Sequence, residues 1–117
     1  MKTIELINNL ALHDAPVYKI EFNFSKSTII LCYQQYISSS SSYNDFNLLF
    51  YNVSDIAFNG IRDFYIEEIS NLDISFQNNK YHLSINFILG IGIEPWILEF
   101  YCDEIVHSRA RAPRDLR

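Results

Sequence analysis

Between Leu72 and Cys102 the apolar positions fall into three runs that agree on one register. Leu72, Ile74 and Phe76 alternate with Asp73 and Ser75; after Asn78 and Asn79 the alternation resumes as Tyr81, Leu83, Ile85, Phe87 and Leu89. A two-residue loop at Asn78-Asn79 sets Phe76 opposite Tyr81 and Ile74 opposite Leu83, so both apolar rows share a face. A further turn over 90–95 lets Trp96, Leu98, Phe100 and Cys102 extend that face. Pairing Leu89 with Trp96 then puts Asn86 against Glu99, Ser84 against Tyr101 and His82 against Asp103. Three antiparallel strands follow.

Upstream, Tyr18, Ile20, Phe22 and Phe24 alternate with Lys19, Glu21 and Asn23. Ile29, Leu31 and Tyr33 lie on one face of a second strand, with Ile30 and Cys32 on the other, so both faces are expected to be covered over part of its length. A two-residue turn between these strands pairs Phe24 with Ile29 and Phe22 with Leu31. Phe46, Leu48 and Phe50, with Leu49, Tyr51 and Val53 opposite, read as a third strand. The serines 38–42 bury nothing and predict a loop running to about Asp45. Asn59-Gly60 marks a turn, and 64–68 is read as a strand leading into Leu72. Near the end the parity changes: Trp96 to Cys102 is even, whereas Ile105 is odd. A bulge at Asp103-Glu104 or a crossing to another sheet edge accounts for that.

At the start, Ile4, Ile7, Leu10 and Ala11 have helical spacing, with Thr3 as a cap and Glu5 in the first turn. Pro16 ends this short helix. The expected fold is mainly β: an antiparallel sandwich or partly open barrel of about six to seven strands with a short N-terminal helix. Ile20, Phe22, Leu31, Phe50, Ile74, Leu83, Ile85, Leu98 and Phe100 form the expected core.

Composition supports one domain, since 117 residues of which 49% are hydrophobic can bury a core without staples. Charge divides the chain more sharply. Residues 1–108 hold five basic side chains against thirteen acidic ones, a net −8, whereas 109–117 hold four arginines against Asp115. We read 1–108 as a single β-rich domain and 109–117 as a polar basic tail expected to be disordered. An acidic body disfavours nucleic acid and favours a basic partner. Neither a secretory leader nor a run of the ~20 apolar residues of a membrane span is evident, so the expected compartment is the cytoplasm, with no membrane partner.

The chemistry-bearing residues are sparse. Cys32 and Cys102 have no zinc or C-x-x-C spacing and are expected as reduced core thiols. His13 adjoins Asp14, His82 would face Asp103, and His107 lies near Glu104. Such pairs can orient a general base, but no nucleophile or pocket accompanies them. Metal-ligand spacing is missing, and Gly90-Ile91-Gly92 lacks the third glycine of a dinucleotide loop. No catalytic residue, metal or cofactor is expected, and the protein reads as a non-enzyme.

Three segments carry a family resemblance: His13-Asp14-Ala15 leading into the strand Tyr18 to Phe24; Phe50-Tyr51-Asn52-Val53-Ser54-Asp55-Ile56; and the closing run from Trp96 to Ile105. Together they resemble small bacterial immunity proteins of polymorphic toxin and contact-dependent growth inhibition systems, over residues 10 to 107. The resemblance implies a cytoplasmic β-rich domain that binds one cognate toxin domain, commonly a nuclease, and neutralises it. It carries over no functional residue. The alternatives are a regulatory or structural binding module, and a small enzyme using a His-Asp pair. Glu67, Glu68, Glu99, Tyr101, Asp103 and Glu104 are the candidate partner-binding residues: alternation and register put Glu99, Tyr101 and Asp103 on the face opposite the core row, where tyrosine and carboxylates suit contact with a basic protein.

Overall fold

The computed structural model describes residues 2–10, 12–59, 68–88 and 96–109. A helix α1 (Lys2–Asn9) precedes strands β1 (Val17–Asn23), β2 (Thr28–Ile37), β3 (Ser42–Tyr51), β4 (Ser54–Asn59), β5 (Glu68–Gln77), β6 (Lys80–Ile88), β7 (Trp96–Cys102) and β8 (Glu104–Arg109). The strands form two antiparallel four-stranded sheets, ordered β1-β2-β3-β8 and β4-β7-β6-β5. The architecture is thus the expected mainly β one, with two open sheets rather than a closed barrel and eight strands among the described residues. No helix among them is long and apolar enough to cross a membrane.

The core lies between the inward faces. Leu83, Ile85 and Phe87 of β6, Trp96, Leu98, Phe100 and Cys102 of β7, Ile29, Leu31 and Tyr33 of β2, and Leu48 and Phe50 of β3 are all buried. Phe50 and Phe100 meet edge to face across the sheets, with centroids 4.9 Å apart. Ile20, Phe22 and Ile74, expected as core, pack against it half-buried. Ile7 is the buried residue of α1, which lies against β5. The helix starts at Lys2, so Thr3 sits within its first turn rather than capping it.

The two sheets are joined by one bent ladder. β3 pairs with β8 as far as Tyr51↔Glu104, and β4 pairs with β7 from Ser54↔Tyr101. Both chains therefore pass from one sheet to the other at the same level, at Asn52-Val53 and at Asp103. There the Asp103 N–H donates to Tyr51 O at 3.0 Å. The inward positions step by three across the corner, from Phe50 to Val53 and from Cys102 to Ile105. Of the two alternatives for the parity change at Ile105, the crossing is the one realised. Val53, expected on the outer face, is instead buried, because Asn52 takes a left-handed conformation (φ 54°) that turns the chain inward one residue early.

A second pair of three-residue steps lies at the other margin. β1 carries a register shift between Val17 and Lys19, and β5 one between Ile69 and Asn71. Val17 and Ile69 are buried while Tyr18 is exposed, a reversal of the expected inward row at its first position. The Pro16↔Glu68 bridge and the bonds Asp14 N–H to Ile69 O (2.7 Å) and Ile69 N–H to Ala15 O (3.0 Å) tie the two strands here.

Three registers differ from expectation. Phe22, not Phe24, faces Ile29, because the β1–β2 connection has four residues. Asn23 Oδ1 accepts from Ser25 Oγ (2.8 Å) and the Lys26 N–H (3.2 Å), a side-chain turn that takes Phe24 out of the strand. Phe87, not Leu89, faces Trp96. That shift by two preserves the faces and seats Trp96 between Phe87 (5.2 Å) and Phe58 (5.4 Å). The serine stretch is a tight hairpin rather than a loop to Asp45: Tyr36 pairs with Tyr43 and Ile37 with Ser42, leaving 38–41 as the turn. The Asn78-Asn79 turn and the pairs Phe76↔Tyr81 and Ile74↔Leu83 are as read. Arg109 belongs to β8 and donates to Asn44 Oδ1, so the strand extends one residue past the expected domain boundary. The strand read over 64–68 and the tail from 110 lie outside the described residues, apart from Glu68.

Cys32 and Cys102 are both free and point to opposite faces of different sheets, Cys102 into the core and Cys32 outward opposite Asn47. Titration of the denatured, unreduced protein should count two thiols, and a count of zero in fresh lysate contradicts this arrangement. Phe100→Ala should lower unfolding free energy in urea by about 3–5 kcal/mol. An unchanged midpoint would mean that the Phe50–Phe100 contact is not central.

Candidate functional site

The outer face of the second sheet is built by simple alternation. On β7, Ile97, Glu99 and Tyr101, with Asp103 just past its end, point away from the core row, and on β6 Lys80, His82, Ser84 and Asn86 do so opposite them. β5 adds Asp73 and Ser75 beside Ser84 and His82. The result is a largely polar surface three strands wide.

Its electrostatics follow from the observed register. Lys80 stands opposite Asp103 with Nζ 3.3 Å from Oδ1. His82 stands opposite Tyr101, ring centroids 4.7 Å apart, and its Nε2 lies 3.5 Å from Glu99 Oε2. The expected His82–Asp103 pair does not form, since the shift by two gives Asp103 to Lys80 and Glu99 to His82. Asp73 accepts from Asn71 Nδ2 at 3.0 Å. The Lys80–Asp103 pair is partly exposed and worth about 0–1 kcal/mol, so its role in folding is small.

Of the six candidate residues, the structure brings Glu99, Tyr101 and Asp103 into one row. Glu68 is on the same sheet but at its far end, opposite Ile88 and bridged to Pro16. Glu104 lies past the corner on the outer face of the other sheet, opposite Tyr51. Glu67 lies outside the described residues. Asp73 lies on the face as the alternation of its strand places it, whereas Lys80 was missed, because only the observed register of β6 against β7 puts it opposite Asp103.

The histidines do different work. His107 points inward from β8, so it does not meet Glu104. Its ring stacks on Phe46 (5.2 Å) and Tyr33 (6.1 Å), and its Nε2 lies 2.7 Å from the Tyr33 hydroxyl. Burial lowers the His107 pKa from its ordinary 6.5 and raises that of Tyr33 above 10. The stable state is therefore a neutral imidazole sharing one hydrogen with a protonated phenol. Burial likewise pushes the Cys102 thiol up to about 12, with Asp103 adding to the rise, and raises the Cys32 thiol, which makes both poor nucleophiles. Among the described residues no three His, Cys, Asp or Glu side chains converge as a metal site requires.

No family model and no curated protein matches the chain. Among solved structures it is similar to an uncharacterized protein from Neisseria gonorrhoeae, with a TM-score of 0.53 and 15% identity, covering 82% of this chain and 91% of that one. At that identity the likeness concerns the fold alone.

The His107 environment sets a pH dependence. Its pKa is depressed in the folded state, so its contribution to stability is present above about pH 6.5 and is lost as pH falls below that value. Chemical denaturation at several pH values should show stability declining from neutrality into the acid range. His107→Gln should flatten that slope; an identical slope in the variant would assign the acid sensitivity elsewhere.

Proposed function

We propose that this chain is a non-catalytic binding protein, an immunity protein that neutralises a cognate toxin domain in the cytoplasm, most simply a basic nuclease domain. The observation that carries the reading is the outer face of β5–β6–β7: Tyr101 at its centre, Glu99, Asp103 and Asp73 around it, on a body of net charge −8. A phosphate-binding toxin presents positive charge where it holds its substrate. An acidic surface attracts that patch over distance and then occludes it. Tyr101 adds contact area with few rotatable bonds to freeze. The family resemblance supports the toxin as partner.

The test is binding kinetics against the toxin domain encoded beside this gene, at two salt concentrations. Glu99→Lys with Asp103→Lys should cut the association rate and weaken binding by more than about 1 kcal/mol per desolvated pair, with melting behaviour retained. Raising salt should slow the wild type and leave the variant nearly unaffected. Equal rates for both proteins would remove this face from the interface. Failure of the chain to protect cells expressing the toxin would remove the immunity reading.

A further inference from the structure

We infer that His82 makes binding at the β5–β6–β7 face depend on pH, because its imidazolium competes with a cationic group of the partner for the Glu99 carboxylate. This regulation rests on the function proposed above for the identity of the partner. Its chemistry concerns any clustered positive charge that meets the face.

The face holds two ion pairs of different kinds. Lys80 Nζ lies 3.3 Å from Asp103 Oδ1, and a lysine ammonium at a polar surface keeps its charge throughout the neutral range. His82 Nε2 lies 3.5 Å from Glu99 Oε2, and histidine is the side chain that gains or loses its charge between about pH 5 and 8. Asp103 is therefore offset at every pH of interest, whereas Glu99 is offset only when a proton is on His82.

Exposure assigns the two members of that pair different places. The Glu99 side chain is 49% exposed and that of His82 24%. The carboxylate thus stands outward, where a partner meets it, and the imidazole lies behind it against the Tyr101 ring, centroids 4.7 Å apart. His82 acts on Glu99 from within the face and leaves its surface open.

The other groups around His82 do not replace this effect. β7 places Tyr101 opposite it, flanked by Glu99 and Asp103. β5 places Ser75 opposite it, with Asp73 and Gln77 two residues to either side, and Ser75 Oγ accepts from Gln77 Nε2 at 2.9 Å. Its own strand adds Lys80 and Ser84. With a neutral imidazole, the three carboxylates Asp73, Glu99 and Asp103 stand against Lys80, a net −2; an imidazolium makes it −1. One proton halves the charge that attracts a basic partner and occupies the outward carboxylate. Binding is therefore strongest above the range in which imidazole titrates and weakens as pH falls through it.

The experiment is an NMR titration of the full chain with a hexa-arginine peptide at pH 8.0 and 6.0 and constant ionic strength. Arginine keeps its charge at both, so the pH dependence belongs to this chain. Saturable shifts are expected at Glu99, Tyr101 and Asp103, with affinity about two- to fivefold lower at pH 6.0. His82→Gln should bring the ratio of the two affinities close to one, and His13→Gln, at the other histidine beside a carboxylate, should keep the wild-type ratio. Lack of saturable shifts on this face, or an unchanged ratio in His82→Gln, would overturn the inference. The toxin domain encoded beside this gene separates the two readings. If the peptide shows the ratio and the toxin domain does not bind, the immunity reading fails and this one stands. If the toxin domain binds through this face equally at both pH values, this one fails and the immunity reading stands.

Discussion

The bent ladder of β3–β4 against β7–β8 is the constraint on which the rest of the structure depends. A pleated strand presents alternate residues to one side, so a strand that serves two sheets must break its period where it turns. Here both members of the ladder break it together, at Asn52-Val53 and at Asp103, and the Asp103 N–H to Tyr51 O bond keeps the backbone paired through the bend. Val53, Cys102 and Ile105 fill the inside of the corner. The Val53 N–H donates to Ser27 O at 2.8 Å, which fastens the β1–β2 turn to the same point. With the corner set, the sheets face each other and Phe50 reaches Phe100.

That constraint also separates what alternation can and cannot reveal. Within one strand the inward row was legible: Leu83, Ile85 and Phe87, or Leu98 and Phe100, stand where period two puts them. At the steps it was legible only in part. Ile105 betrayed a change of parity because an apolar residue appeared out of phase after two charged ones, but Val53 follows Tyr51 in apparent phase and gave no warning. Tyr18 misled for the same reason, since Val17 beside it is equally apolar and only the shift at that point decides which one is buried.

Pairing registers were less legible than faces. A slip of two residues leaves every side chain on its own side, so burial does not penalise the wrong choice; what decides is local chemistry. Asn23 closing its own turn moved Phe24 out, and the seat of Trp96 between Phe58 and Phe87 fixed β6 against β7. The candidate face was therefore found while its pairings were not. The Tyr36–Tyr43 pair was hidden by the serines, whose composition suggests a loop although the flanking tyrosines and glutamines continue the ladder.

The position of β8 has a consequence for how the chain reaches this state. β5, β6 and β2, β3 close through short turns, which form early and at small entropic loss. β8 pairs with β3 across about half the length of the chain, with Phe46 opposite Arg109 and Tyr51 opposite Glu104. Until it docks, β3 is an edge with open hydrogen-bonding groups and Tyr33 lacks the His107 ring. β8 is thus the seal of the first sheet, and a chain emerging from the ribosome holds an unsealed edge until β8 is free to fold.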